Sequence, residues 1–148
     1  DSIKKIERES KLLESSDRVS VFDGVATSSP SLILATKLQK RAADVGFDWP
    51  NADGAYAKIV EETAELRDAI RAGGDPQVVR MELGDLLFSV VNLSRHIGHD
   101  AELALRTSAN KFRTRFEYVE RLAHDHGIDI ANASLEELDS LWDEAKRV

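Results

Sequence analysis

Residues 81–98 read MELGDLLFSVVNLSRHIG. Wound at 3.6 residues per turn, this segment places Met81, Leu83, Leu86, Leu87, Phe88, Val90, Val91, Leu93 and Ile97 on nearly every side of a helix. A helix that is apolar all round is expected to be buried. Two acids interrupt it, Glu82 and Asp85, three residues apart and therefore on one face. Carboxylates on a buried helix are costly unless a cation or a proton compensates them. The pair marks a functional site.

The preceding helical stretch, KIVEETAEL at residues 58–66, supplies the complement. Glu62 and Glu65 share a face, Glu61 stands beside them, and Lys58 lies one turn before Glu62. The connection, Gly73-Gly74-Asp75-Pro76, is short enough to fold the two helices back antiparallel, so that the two acid pairs converge. Four carboxylates from facing helices suit a hard divalent cation, Mg²⁺ with Mn²⁺ as a possible substitute. A di-iron bundle would call for Glu-x-x-His pairs, and the chain has none.

Outward from this pair the chain reads as helix with clear stops. Ser29-Pro30 opens one helix, with proline at the first helical position, and Gly46 closes it. Asp53 is read as the N-cap of the next, Asp75 with Pro76 starts the third, and Asp100 caps the fourth, which runs to about Asp125. Ser134 and Glu137 form a capping box for the last. No alternating stretch long enough for a strand occurs. The expected fold is all-α, with four principal helices in a bundle that completes its core as a homodimer. Residues 1–28 are expected to be a linker or marginal helix, and residues 29–148 the domain proper. Because the sequence starts at Asp1, a fragment or processed product is expected.

Composition narrows the class. Of 148 residues, 42% are hydrophobic, enough for a core, and the net charge of −7 argues against a broad nucleic-acid surface. With no cysteine, disulfides and thiol chemistry are excluded and a cytoplasmic location is expected. No apolar run reaches membrane-spanning length, so no membrane partner is expected. The pair Lys111 and Arg115, four apart, makes a clamp for phosphate oxygens or a solvated stripe. Trp142, at helical spacing from Leu138 and Leu135, either stacks on a base or fills a bundle seam, and Trp49 is assigned to packing. Histidines 96 and 99, after Arg95 at a helix end, are explained by the helix dipole.

The ordered acids, Glu61-Glu62-x-x-Glu65 followed by Glu82-x-x-Asp85, resemble the signature of the all-α nucleoside triphosphate pyrophosphohydrolases, and in particular the MazG branch. RAADVGFDWP before them and NKFRTRFEYVE after them share the likeness. SVFDGVATSSPSLILATKLQKRA resembles the stretch joining the tandem modules of longer MazG proteins, except that VATSSPSL replaces a more apolar entry there. The resemblance implies a dimeric, Mg²⁺-dependent enzyme that hydrolyses nucleoside triphosphates to monophosphate and pyrophosphate, clearing nucleotides from the pool. It implies that Glu62, Glu65, Glu82 and Asp85 hold metal. Lys58, Lys111 and Arg115 would meet the phosphates, Trp142 the nucleotide, and Glu61 would be a further ligand or the base acting on water. The alternative from another class is a catalytically silent helical module that dimerises or regulates a larger protein.

Overall fold

In a computed structural model of the chain, residues 2–14 and 20–148 are described, with side chains from residues 2–8 and 20 onward. Among the described residues there are six α-helices, one turn of 3₁₀ helix at Ile130–Asn132 and no strand. The helices are α1 (Ser2–Glu14), α2 (Ser31–Asp44), α3 (Ala52–Arg71), α4 (Pro76–His96), α5 (Ala101–Asp125) and α6 (Leu135–Ala145). The all-α expectation holds. The charged leading segment is helical over Ser2–Glu14, and Arg8 reaches Asp44 at the end of α2 at 2.9 Å.

The helix starts follow capping chemistry, with two shifts from the sequence reading. Pro30 is the N-cap of α2 rather than its first helical residue, and it has no side-chain hydrogen bond to give. The N-cap of α3 is Asn51, not Asp53: Asn51 Oδ1 accepts from the Asp53 amide at 2.9 Å. Asparagine and aspartate cap equally well, and both occur within three residues here. Asp75 and Pro76 start α4 as expected, with Asp75 Oδ1 accepting from Gln77 N at 2.9 Å. Ser134 Oγ accepts from Glu137 N at 3.1 Å and so starts α6.

The chain divides into two compact units, Asp1–Ala101 and Glu102–Val148. In the first, α3 and α4 pack against each other along their length as an antiparallel pair, and α2 packs on α4. Gly73 and Gly74 make this turn at φ of 122° and 68°, a region that side-chain-bearing residues rarely adopt. Ala55 and Val91 are fully enclosed. The second unit has its own core, in which Val119 and Ala123 of α5 meet Leu141 and Ala145 of α6.

The expectation that α4 is buried all round fails within the single chain. Val91 is 2% exposed, but Leu83, Val90 and Leu87 (52%) stay open, as does Met81 (66%). The reason is geometric: α2 and α3 cover only part of a helix whose apolar residues lie on every side. Leu83, Leu87 and Val90 fall at i, i+4 and i+7, a continuous stripe.

Trp49, in the α2–α3 connection, lies flat against Gly54 of α3. A Cβ at Gly54 would stand 2.6 Å from the indole ring. Gly54→Ala is therefore expected to displace Trp49. The cost should be about 1–3 kcal/mol, as for other overpacking changes. The thermal midpoint should fall by several degrees with a red shift of tryptophan fluorescence; an unchanged melt and spectrum would contradict this packing.

Candidate metal centre

The antiparallel register of α3 and α4 sets Glu62 opposite Glu82 and Asp85. One carboxylate oxygen from each of the three lies within 4.8 Å of the others. Glu62 is 4% exposed, Glu82 is half-buried and Asp85 opens to solvent. Lys58, one turn before Glu62, donates to Glu62 Oε1 at 2.8 Å and pairs with Glu61 at 3.3 Å. These two carboxylates push the Lys58 ammonium up to about 12, the hydrogen bond to Glu62 contributing most and that to Glu61 next.

One lysine does not balance this cluster. Glu62 Oε2 and Glu82 Oε2 are buried without any hydrogen-bond partner. A buried carboxylate oxygen with nothing to accept from is costly. Glu65, one turn beyond Glu62, lies in the same field. Its carboxyl is pushed above the usual range chiefly by the charge of Glu62, then by desolvation, with the charges of Glu82 and Glu61 adding to it. Both orphaned oxygens and the crowding of like charges fit a divalent cation, and an all-oxygen donor set suits Mg²⁺ or Mn²⁺.

The structure thus brings Glu62, Glu82 and Asp85 together, with Glu65 at the margin and Lys58 and Glu61 joined to Glu62 as an ion-pair chain. Lys111, Arg115 and Trp142 lie in the second unit, where Arg115 and Trp142 meet. The Arg115 guanidinium stands 6.0 Å from the centre of the Trp142 ring, and Phe112 meets that ring at 5.5 Å. Trp142 packs against the core of this unit, the seam-filling role open to it from the sequence.

Sequence reasoning missed a cavity of about 610 Å³ beside the carboxylates, in the first unit. It is bounded by α2, α3, α4 and the α2–α3 connection, and Lys58 is part of its wall. Trp49 and Phe47 line it, and Trp49 packs against Gly54 as the sequence reading expects. The connection is pinned by Asp48, which binds Arg95 and, at 2.9 Å, His96 Nε2. His96 therefore has a specific partner beyond the helix dipole. An acid between two aromatics in FDW, and an arginine and a histidine ending α4, were the available signal.

Residues 53–120 match the family model of the MazG nucleotide pyrophosphohydrolase domain. The chain carries a MazG domain. The match takes in every carboxylate of the cluster together with Lys58, Lys111 and Arg115; Trp142 lies beyond it. The chain is 40% identical over 129 residues to the nucleoside triphosphate pyrophosphohydrolase of Escherichia coli K12, covering 86% of this chain and 49% of that protein. It is 44% identical over 117 residues to the nucleoside triphosphate pyrophosphohydrolase/pyrophosphatase MazG of Thermotoga maritima, covering 79% and 44% respectively. The uncharacterized protein YabN of Bacillus subtilis is 38% identical over 127 residues, 86% of this chain and 26% of that protein. The chain thus spans about half the length, or less, of the curated relatives it matches.

The Asp48 contacts carry a pH signature in this MazG-domain chain. The hydrogen bond from Arg95, with help from His96, holds the Asp48 carboxyl down from 3.8 to about 2, against the opposing effect of burial. A depressed carboxyl stabilises the fold fully above its unfolded value and loses that contribution as pH falls through the folded one. The stability difference between wild type and Asp48→Asn, measured by urea unfolding, should be constant above pH 4 and shrink towards pH 2. A difference that does not change over that window would contradict the pairing. The crowded carboxylates predict a second effect. Millimolar Mg²⁺ or Mn²⁺ should raise the melting temperature of wild type, and Glu82→Gln should melt higher than wild type without metal yet gain little from it. Equal metal-induced shifts in both proteins would contradict the site.

Proposed function

We propose that this chain is a nucleoside triphosphate pyrophosphohydrolase, which hydrolyses NTPs or dNTPs to nucleoside monophosphate and pyrophosphate with Mg²⁺, in the cytoplasm, as a nucleotide-pool housecleaning enzyme. The observation that carries the reading is the convergence of Glu62, Glu82 and Asp85 with two buried carboxylate oxygens unpartnered. The MazG match and the printed activities of the Escherichia coli and Thermotoga relatives support it.

In this reading Glu62, Glu65, Glu82 and Asp85 hold the metal. When bound, Mg²⁺ would neutralise polyphosphate charge and make water easier to deprotonate. The chain's own residues do the rest. Glu61, exposed and tied to Lys58, takes the proton from the attacking water. The water oxygen bonds to the α-phosphorus, the bond from that phosphorus to the α–β bridging oxygen breaks, and its electron pair leaves with pyrophosphate. Lys58 remains charged at any physiological pH and offers its protons to phosphate oxygens. Lys111 and Arg115, one turn apart on α5, bind further phosphate oxygens, and Trp142 meets the nucleotide.

A second copy of the chain covers the apolar stripe Leu83–Leu87–Val90, giving a homodimer whose combined helices form the bundle core. Exposed apolar residues in such number on one helix support this. Leu87→Asp should convert a dimer in sedimentation to a monomer; an unaltered mass would contradict the assignment of that face.

The test of the activity is product identification. ATP or a dNTP with Mg²⁺ should yield monophosphate and pyrophosphate, and Glu82→Gln or Asp85→Asn should lower kcat/KM by on the order of a thousandfold. The helical circular dichroism should stay intact. Diphosphate and orthophosphate as products would sink the reading, and inertness of the wild-type chain would favour the silent helical module.

A further inference from the structure

The cavity has one wall residue from outside α2, α3, α4 and the α2–α3 connection: Phe22, in the segment ahead of α2. We propose that residues 20–25 form a strap at this cavity, that Arg41 is the positioning residue that holds it, and that the strap sets how tightly the substrate binds. The proposal rests on the hydrolase reading above. Lys58 lines the cavity and donates to Glu62 at 2.8 Å, so a substrate held at the carboxylates reaches this space.

The strap has little to hold it in place by itself. Its own bonds are those of a turn: Asp23 N donates to Ser20 O at 3.1 Å, Val25 N to Phe22 O at 3.0 Å, and Phe22 N to Ser20 Oγ at 3.1 Å. Such a turn fixes local shape but does not attach the segment to the helices. Arg41, in the last turn of α2, does so. Its Nη1 donates to Val21 O at 2.9 Å and to Asp23 O at 3.0 Å, using both hydrogens of one nitrogen. These two carbonyls flank Phe22 in sequence, so the pair of bonds fixes the backbone on either side of that ring. Bonds from an ionised donor are stronger than neutral ones.

Phe22 is 43% exposed, so its ring keeps open surface rather than filling a core. Residues 1–28 read as linker in the sequence, yet the last part of that stretch becomes a wall of the site. The same end of α2 holds α1, through Arg8 and Asp44 at 2.9 Å. Without Arg41 the strap has to be ordered each time substrate binds, and that cost falls on affinity. Phe22 is not among the carboxylates where bond breaking occurs, so the loss is of uniform binding: KM rises while kcat holds.

The experiment is a double-mutant cycle on the full chain, with pyrophosphate release from ATP and Mg²⁺ as the readout. Arg41→Ala and Phe22→Ala should each raise KM by about tenfold with kcat within about twofold of wild type. The double variant should be little worse than either single one, because both act through one wall. Arg41→Lys, which keeps a cation but not the planar fork, should recover part of the loss. The dissociation constant of α,β-methylene-ATP, measured by calorimetry, should rise in step with KM. A merely structural Arg41 would lower the melting temperature and leave KM and that constant unchanged, which overturns the proposal while leaving the hydrolase reading intact. Additive effects of the two substitutions, or a fall in kcat at constant KM, overturn it as well. If wild type releases no pyrophosphate from ATP or any common dNTP, the hydrolase reading fails and the role of the strap with it.

Discussion

The first unit is organised around a carboxylate that it does not fully satisfy. Glu62 sits inside the α3–α4 pair with one oxygen on Lys58 and the other on nothing, facing Glu82 and Asp85. Burying an ion pair already sets desolvation against Coulomb attraction, and adding two more acids tips the balance further against the unliganded fold. The chain tolerates this because α3 and α4 are held along the rest of their length by packing and by a tight Gly-Gly turn with a well-capped restart at Asp75. Apolar contact fixes the register, and the register forces the acids together. The cluster is the part of the structure that we propose a cation completes.

The same helix pair explains the uncovered surface. Among the described residues, α4 packs chiefly on α2 and α3, and a helix apolar on every side needs more. The Leu83–Leu87–Val90 stripe is a demand made by the sequence that the isolated chain does not meet. The hairpin thus carries two different deficits, one of charge at the carboxylates and one of apolar cover on α4, for which we propose a cation and a second copy.

Much of this was legible beforehand, and the exceptions have physical causes. The i, i+3 spacing of Glu82 and Asp85 within an apolar run, with Glu62 on the preceding helix, was enough to place the three together, because helical periodicity and a short connection leave little freedom. Lys58 likewise followed from its position one turn before Glu62. Glu65 shares that face by spacing, yet the structure leaves it at the margin of the cluster, since the side-chain reach of one extra turn is not encoded in periodicity. The cavity was invisible because it is made by residues from three helices and a loop whose approach depends on tertiary contacts, above all Asp48 with Arg95 and His96 and the indole of Trp49 on Gly54.

The account stands or falls on where water attacks. Hydrolysis of ATP in ¹⁸O-enriched water with Mg²⁺, followed by mass spectrometry of the products, reports this directly. Attack at the α-phosphorus, guided by the carboxylate cluster, places the label in the monophosphate and leaves pyrophosphate unlabelled. Label in the pyrophosphate, or in orthophosphate released from the terminal position, would contradict it.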